Sequence, residues 1–179
     1  DEYDTAFFDK GPKFLHYPPA KAVLTGIEFD HADIFENLES VKDAFRRFIR
    51  KVPEQSLVFA YDNDENVRDI VSLAACPVRF YGKAASSDWR LGDIAVRPPE
   101  TIFEILEGDA SLGWFATPMM GEHNLLNALS VVAACKALGI SGEMVRSGLA
   151  TFKGIRRRQE IRGVKNAVTV MDDFAHHPT

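Results

Sequence analysis

The feature that most constrains the fold is an apolar run within positions 21–35 that ends abruptly in polar residues. Residues 22–27 have the length and the β-branched content of a buried strand in a parallel sheet. Asp30, His31 and Asp33 follow where that strand should end. Because open α/β sheets bind ligands outside the carboxyl ends of their strands, these polar residues occupy an expected binding position.

His31 is the residue in this run with the most chemical potential. A neutral imidazole between carboxylates can coordinate a cation or take a proton, so His31 is a candidate metal ligand or general base. The competing interpretation is a solvated loop with a helix cap, and these residues taken alone favour it. The rest of the sequence must decide between the two.

Composition restricts the classes of protein to consider. The 179 residues are 46% hydrophobic, which fits one soluble globular domain with a sizeable core. A net charge of −5 argues against a general nucleic-acid or membrane binder. Cys76 and Cys135 are widely spaced in apolar surroundings, so we predict buried free thiols and a cytoplasmic location. The acidic start does not resemble a signal peptide, and without an initiating Met we expect a fragment.

The first half of the chain alternates strands and helices. Strands are predicted at 22–27, 56–61 and 77–81, with helices at 38–52 and 65–75 between them. This alternation predicts an α/β fold with a mostly parallel sheet flanked by helices and right-handed crossovers.

The pattern changes after residue 86. Three short segments near 90–96, 101–106 and 112–116 are separated by turn residues, which predicts a small antiparallel sheet packed beside the parallel one. Helices are then predicted at 122–138, ended by Gly139, and at 141–152, with Ser141 as the N-cap. A last strand is predicted at 164–171.

Two short patterns in the second half have the chemistry of nucleotide binding. Asn124 and Asn127 lie one helical turn apart, and an amide pairs a donor with an acceptor as the N6/N7 edge of adenine does. The alternative is that Asn124 is an N-cap and Asn127 is incidental. The basic run 156–158 can clamp phosphates or lie in a solvated turn. Asp173, after the last strand, can hold a ribose or a cation, or cap the next element.

Taken together and in order, five patterns resemble the Mur ligases, the ATP-dependent amide-forming enzymes of bacterial cell-wall synthesis. The patterns are Asp1-Glu-Tyr-Asp4, Ile27-Glu-Phe-Asp-His-Ala-Asp33, Gly121-Glu-His-Asn-x-x-Asn127, Arg157-Arg158 and Asp172-Asp-Phe-x-His-His-Pro-Thr179. Within that family, the chain resembles the branch that joins a murein tripeptide, L-Ala-γ-D-Glu-meso-diaminopimelate, to UDP-N-acetylmuramate in peptidoglycan recycling. The alternatives are the branch that adds L-alanine, a folylpolyglutamate synthase-like ligase, and a non-enzymatic nucleotide-binding module.

The resemblance implies cofactors and residue roles. ATP would activate the muramyl carboxylate as an acyl phosphate, and the peptide amine would attack it, with charge neutralisation as the main task of the site. His31 would bind the magnesium ion, and His31 and Arg158 are the catalytic candidates. The implied nucleotide contacts are Asn124 and Asn127 at adenine, Arg158 at a phosphate, Asp173 at the ribose and His176 near the phosphates.

The resemblance also implies how the chain is divided. Residues 1–171 would be the central ATP-binding domain, and residues 172–179 would begin a C-terminal domain. The phosphate-loop strand and helix, a second metal-binding Glu and a UDP-binding domain are expected upstream. An open slot in the sheet would then favour self-association of this fragment. Some family members carry a carbamylated lysine near this region, but Lys42 is interpreted as solvated and is not given that role.

Overall fold

The computed structural model describes residue 4 and residues 9–175. Within them, six strands form one sheet in the order β1 to β6. The strands are β1 Lys21–Leu24, β2 Leu57–Tyr61, β3 Val78–Gly82, β4 Trp89–Arg97, β5 Glu100–Glu107 and β6 Ala110–Thr117. Pairing is parallel from β1 to β4 and antiparallel from β4 to β6. The predicted fold class is therefore confirmed.

Helices cover both faces of this sheet. They are α1 Leu38–Ile49, α2 Glu65–Val71, α3 Glu122–Ala137 and α4 Gly142–Thr151. Strand β2 shows the division, because Val58 and Ala60 belong to the core under α1 and α2 while Phe59 belongs to the core under α3 and α4. Alternate side chains of a strand point to opposite faces, so a strand buried on both sides reads as a continuous apolar run.

The prediction that the antiparallel strands form a separate small sheet is wrong. β4, β5 and β6 belong to the same six-stranded sheet as β1, β2 and β3. β4 pairs with β3 through only two positions, Tyr81↔Trp89 and Gly82↔Arg90. Because the two strands are parallel, β4 continues beyond the carboxyl end of β3, and β5 and β6 extend the same sheet. The local turn signals that predicted these strands contain no information about which sheet they join. The antiparallel half therefore begins at the carboxyl end of β3.

The helices end earlier than the apolar pattern predicts. α1 ends at Ile49 rather than at 52, and α2 ends at Val71 rather than at 75. After each helix the backbone continues with bonds between residues three apart, such as Val52 N to Ile49 O at 3.2 Å and Ala74 N to Val71 O at 3.0 Å. These tighter turns keep the apolar side chains directed toward the core. The apolar periodicity of the sequence therefore continues beyond the end of each helix.

The predicted last strand is a hairpin. β7 Glu160–Lys165 and β8 Val168–Asp172 pair antiparallel around Asn166 and Ala167, whose φ angles are 51° and 61°. Two residues with positive φ make the favoured two-residue hairpin turn, and its usual sequence signal is Asn-Gly. Because Ala occupies the second position here, the turn was missed. The predicted boundary after residue 171 falls inside β8 and remains a prediction about domains.

The predictions for Lys42 and for the two cysteines have clear outcomes. Lys42 is not solvated as interpreted: its side chain is 15% exposed, and its Nζ lies 2.7 Å from Asp69 Oδ2 on α2. This hydrogen bond lowers the pKa of Asp69. Cys76 and Cys135 are free, as predicted, with Cys76 buried and Cys135 half-buried.

None of the helices in the described residues has the length and hydrophobicity that a membrane span requires.

Candidate active site at the carboxyl edge of the sheet

His31 lies on a loop that leaves the carboxyl end of β1. Ile27 and Phe35, at the two ends of this loop, are buried in the core. His31 has a φ of 55°, in the left-handed region, where histidine is one of the residues more often tolerated. Its carbonyl accepts from the Ile34 and Phe35 N–H groups at 2.8 and 2.9 Å. The imidazole, 22% exposed, is therefore held at the rim of the sheet by buried neighbours.

The buried residue Asp62 links the carboxyl ends of β2 and β3. Asp62 follows β2, and its N–H donates to the Tyr81 carbonyl at 2.9 Å. Its carboxylate accepts from the Ser87 hydroxyl at 2.7 Å and from the Arg68 guanidinium. A Cβ at Gly82 would lie 2.8 Å from Asn63 Oδ1, so any larger residue there would require the Asn63 side chain to shift. No motif in the sequence predicts this role for Asp62.

Tyr81 connects the end of β1 to α3. Its side chain is 1% exposed, and its hydroxyl donates to the Leu24 carbonyl at 3.4 Å. Burial raises the pKa of Tyr81 well above its ordinary value, against a smaller lowering by a hydrogen bond with Ser130 on α3. The phenol therefore stays protonated and donates at the point where the His31 loop begins.

The N-terminus of α3 lies at the same edge. Lys83, just after β3, places its Nζ 3.0 and 3.1 Å from the two carboxylate oxygens of Glu122. The alternative that Asn124 is the N-cap is wrong, since Gly121 occupies that position and the Asn124 amide donates to the Met120 carbonyl at 2.7 Å. Asn127, one turn further on, is exposed. No sequence motif marks Lys83 as a functional residue.

The structure brings the segment that contains Asp173 back to the turn that contains Arg158. Arg158 donates to the Phe174 carbonyl at 3.2 Å, and the Phe174 N–H donates to the Arg157 carbonyl at 2.8 Å. The segment after β8 thus returns to the basic turn, and Asp173 lies beside it. The roles predicted for both residues stay predictions. His176 and most of the pattern at residues 1–4 lie outside the described residues.

A groove connects this basic turn to the approach to α3. Its volume is about 440 Å³, and its lining includes Met120, Gly154 and Arg158. Met120 is the residue whose carbonyl holds the Asn124 amide. Of the predicted nucleotide contacts, Arg158 lines this groove. Asn124 does not line it and is joined to it through the Met120 carbonyl, whereas His31 lies after β1 on a separate part of the edge.

The donor set around His31 can be compared with what magnesium requires. His31 Nε2 lies 3.9 Å from Asp30 Oδ2, and the described residues contain no group of three or more His, Cys, Asp or Glu side chains suited to a metal. Magnesium usually takes one or two protein carboxylates and completes its shell with waters and substrate phosphates. The two donors fit such an incomplete site, although an imidazole nitrogen is an unusual choice for this ion.

Fold and site together define an open α/β domain with polar groups gathered at the carboxyl ends of its parallel strands. The chain belongs to the Mur ligase family: residues 11–135 match the family description "Mur ligase middle domain". The resemblance drawn from the five patterns is thereby confirmed.

Individual relatives agree with this family. The chain is 37% identical over 179 residues to UDP-N-acetylmuramate–L-alanyl-gamma-D-glutamyl-meso-2,6-diaminoheptandioate ligase of Escherichia coli (strain K12), covering 100% of this chain and 38% of that protein. It is 38% identical over 168 residues to UDP-N-acetylmuramate–L-alanine ligase of Acetivibrio thermocellus, covering 93% and 36%. The crystal structure of the tripeptide ligase from Neisseria meningitides matches with a TM-score of 0.76 at 35% identity, covering 88% of this chain and 47% of that one. The chain thus spans well under half the length of these curated relatives.

Proposed function

We propose that this chain is the central ATP-binding part, residues 1–171, of a cytoplasmic ligase that joins L-Ala-γ-D-Glu-meso-diaminopimelate to UDP-N-acetylmuramate in peptidoglycan recycling. Residues 172–179 would begin its C-terminal domain. The observation that carries this proposal is the 37% identity along all 179 residues to a ligase named for that acid and that peptide. The arrangement of polar groups along the carboxyl edge supports it.

The proposed roles follow from where the residues lie. ATP with magnesium, when bound, supplies the phosphoryl group that activates the muramyl carboxylate. Arg158 presents a guanidinium at the rim of the groove, where a fixed positive charge can hold a phosphate. The Asn124 and Asn127 amides would bind the adenine edge, and Asp173 would accept from the ribose hydroxyls. His31 and Asp30 would hold magnesium, and His176 would lie near the phosphates.

A second candidate is the addition of L-alanine to the same acid. It is favoured by the relative from Acetivibrio thermocellus, which has a similar identity, 38%, over a slightly shorter stretch. The two reactions share the nucleotide and the muramyl acid and differ in the incoming amine. Both reactions therefore require the same nucleotide and metal contacts at the carboxyl edge of the sheet.

The experiment supplies UDP-N-acetylmuramate and ATP-magnesium to the full-length protein that contains this chain. Either the tripeptide or L-alanine is then added, and ADP release and the amide product are measured. The proposal expects a kcat/KM for the tripeptide at least tenfold above that for L-alanine. A preference for L-alanine would replace it with the second candidate, and ATP binding without either product would favour a nucleotide-binding module.

We also propose that the 179-residue chain, produced alone, self-associates through the outer side of β1. Within the described residues β1 pairs only with β2. Exposed strand edges of this kind readily pair with another chain.

A further inference from the structure

The His31 loop begins at Ile27. Both backbone polar groups of Ile27 are hydrogen-bonded by side chains at the start of α2. Its N–H donates to Asp64 Oδ2 at 2.8 Å, and its carbonyl accepts from Asn66 Nδ2 at 2.9 Å. Asp64 and Asn66 lie at the N-terminus of α2, which follows the neighbouring strand β2. The loop is thus tied across the gap between two strand ends.

Asp64 performs two tasks with its two carboxylate oxygens. Oδ1 caps α2 by accepting from the Asn66 and Val67 N–H groups at 2.8 and 3.1 Å. A single oxygen is sufficient for a cap, and Ser, Thr or Asn provides one as well as Asp does. Oδ2 is therefore not needed for the helix, and its partner is the Ile27 N–H. A carboxylate accepts at both positions, whereas an amide would turn a donor toward one of them.

This tie bears on where the His31 imidazole can lie. Only three residues separate Ile27 from His31. His31 is in the left-handed region, and its carbonyl is held by the Ile34 and Phe35 N–H groups. With the far end of the loop also buried at Phe35, the position of the imidazole depends on where Ile27 is fixed.

We infer that Asp64 is a positioning residue for His31: its second carboxylate oxygen fixes the loop after β1 against the end of β2 and the start of α2. What His31 binds rests on the proposed function, whereas the tie itself rests on the contacts above. Removing Oδ2 as an acceptor loosens the loop while the cap on α2 remains.

The test compares Asp64→Asn with two other variants in the full-length protein. Asp64→Asn keeps one oxygen for the cap and loses the second acceptor. Asn66→Ala removes the donor to the Ile27 carbonyl and leaves the Asp64 carboxylate intact. Ser141→Ala removes the N-cap of α4, whose hydroxyl accepts from the Met144 N–H, and controls for loss of a cap elsewhere.

The first measurement is amide hydrogen exchange over residues 25–35. Asp64→Asn should raise exchange there by about tenfold, the scale of one net hydrogen bond, with α3 unchanged. Asn66→Ala should act in the same direction, and Ser141→Ala should leave these residues unaffected. Unchanged exchange at residues 25–35 in both Asp64→Asn and Asn66→Ala would overturn the inference, even where one variant is less stable.

The second measurement separates positioning from simple stability. In an active enzyme, Asp64→Asn should lower kcat about tenfold or more at saturating magnesium, while the KM for ATP changes less than twofold. A normal kcat in a variant with raised exchange would also overturn the inference. If the unsubstituted protein makes neither product, the proposed function fails by itself, and the exchange result still decides whether Asp64 fixes the loop.

Discussion

The two edge strands of the sheet, β6 and β1, differ in how their outer sides are covered. At the antiparallel edge, Arg146 of α4 donates to the Trp114 carbonyl at 3.1 Å and to the Leu112 carbonyl of β6, with its guanidinium 4.7 Å from the Phe115 ring centre. At the parallel edge, a groove of about 510 Å³ runs along β1, and the side chain of Tyr17 in its lining is 72% exposed.

This difference shows that the two edge strands are protected from further pairing to different degrees. A guanidinium on edge carbonyls blocks further strand pairing, so the antiparallel edge is closed by the chain itself. Within the described residues, no strand pairs with the outer side of β1, the strand that precedes the His31 loop. His31, the proposed metal ligand, thus follows the edge strand β1, whereas Arg158, a proposed phosphate contact, lines the groove beside α4.

The largest expected effect is at the parallel edge, in His31→Ala. If His31 binds the magnesium that neutralises phosphate charge, turnover should fall by roughly 10²- to 10³-fold while ATP affinity changes little. The melting temperature should barely move, because a rim side chain leaves no core cavity. Turnover is measured against magnesium concentration, beside thermal unfolding.

His16→Ala is the matched control for this histidine. Its imidazole lies 2.9 Å from Asp9 Oδ2 on the surface, away from the strand end, and its removal should leave turnover normal. Near-normal turnover of His31→Ala at both limiting and saturating magnesium would remove the metal role. A less stable protein with normal activity per folded molecule would make His31 a structural residue.

The next effect is at the start of α3, in Asn127→Leu. Loss of a paired donor and acceptor at the adenine edge should cost about 1–3 kcal/mol, seen as a raised KM for ATP and weaker discrimination against GTP. Fold should survive, since Asn127 is exposed. An ATP constant and a GTP discrimination equal to those of the unsubstituted enzyme would leave Asn127 as a helix-surface residue.

Val23→Lys tests whether the open edge is used. Val23 lines the β1 groove and is 38% exposed, so a strand that pairs there should bury it. Burying such a side chain is worth roughly 1.5–3 kcal/mol, and a charge in its place should weaken self-association of the 179-residue chain by about 10- to 100-fold. Sedimentation equilibrium measures this, and a monomeric unsubstituted chain would contradict the proposal.

Arg146→Met tests the closed edge. It should lower the free energy of unfolding by about 1 kcal/mol, since the lost bonds to Leu112 and Trp114 are solvent-exposed, and should promote association through β6. Arg146→Lys should recover part of the stability because an ammonium reaches one carbonyl but not both. Chemical denaturation of both variants checks the order, and equal stability of Met and Lys would contradict it.

The smallest effect is in Tyr81→Phe, which removes the hydroxyl below the start of the His31 loop. We expect a loss of about 0.5 kcal/mol, the lower end for one hydrogen bond, because the hydroxyl lies 3.4 Å from the Leu24 carbonyl oxygen. Because burial raises the folded pKa of Tyr81, its contribution is complete below the unfolded value, roughly 10, and declines as pH rises toward the folded value. The unsubstituted protein should therefore lose more stability above pH ~10 than Tyr81→Phe, measured by denaturation at several pH values.

Much of the fold is readable from the sequence because its signals are local. The strand–helix alternation through Gly82 and the N-cap at Ser141 depend on residues within a few positions of one another. The hairpin at Asn166 was missed because Ala stands where Gly usually marks that turn. Lys42 was misread because its partner, Asp69, belongs to another helix.

The candidate site divides in the same way. His31, Asn124 and Arg158 were recognisable because they stand in short patterns. By itself, the sequence determined the α/β alternation, the family and these candidates. Only the tertiary structure decided that Asp62 closes two strand ends and that Asp64 holds Ile27, a residue 37 positions away. A hydrogen bond across that distance depends on how β1 and β2 are placed side by side, and no local pattern of residues encodes that placement.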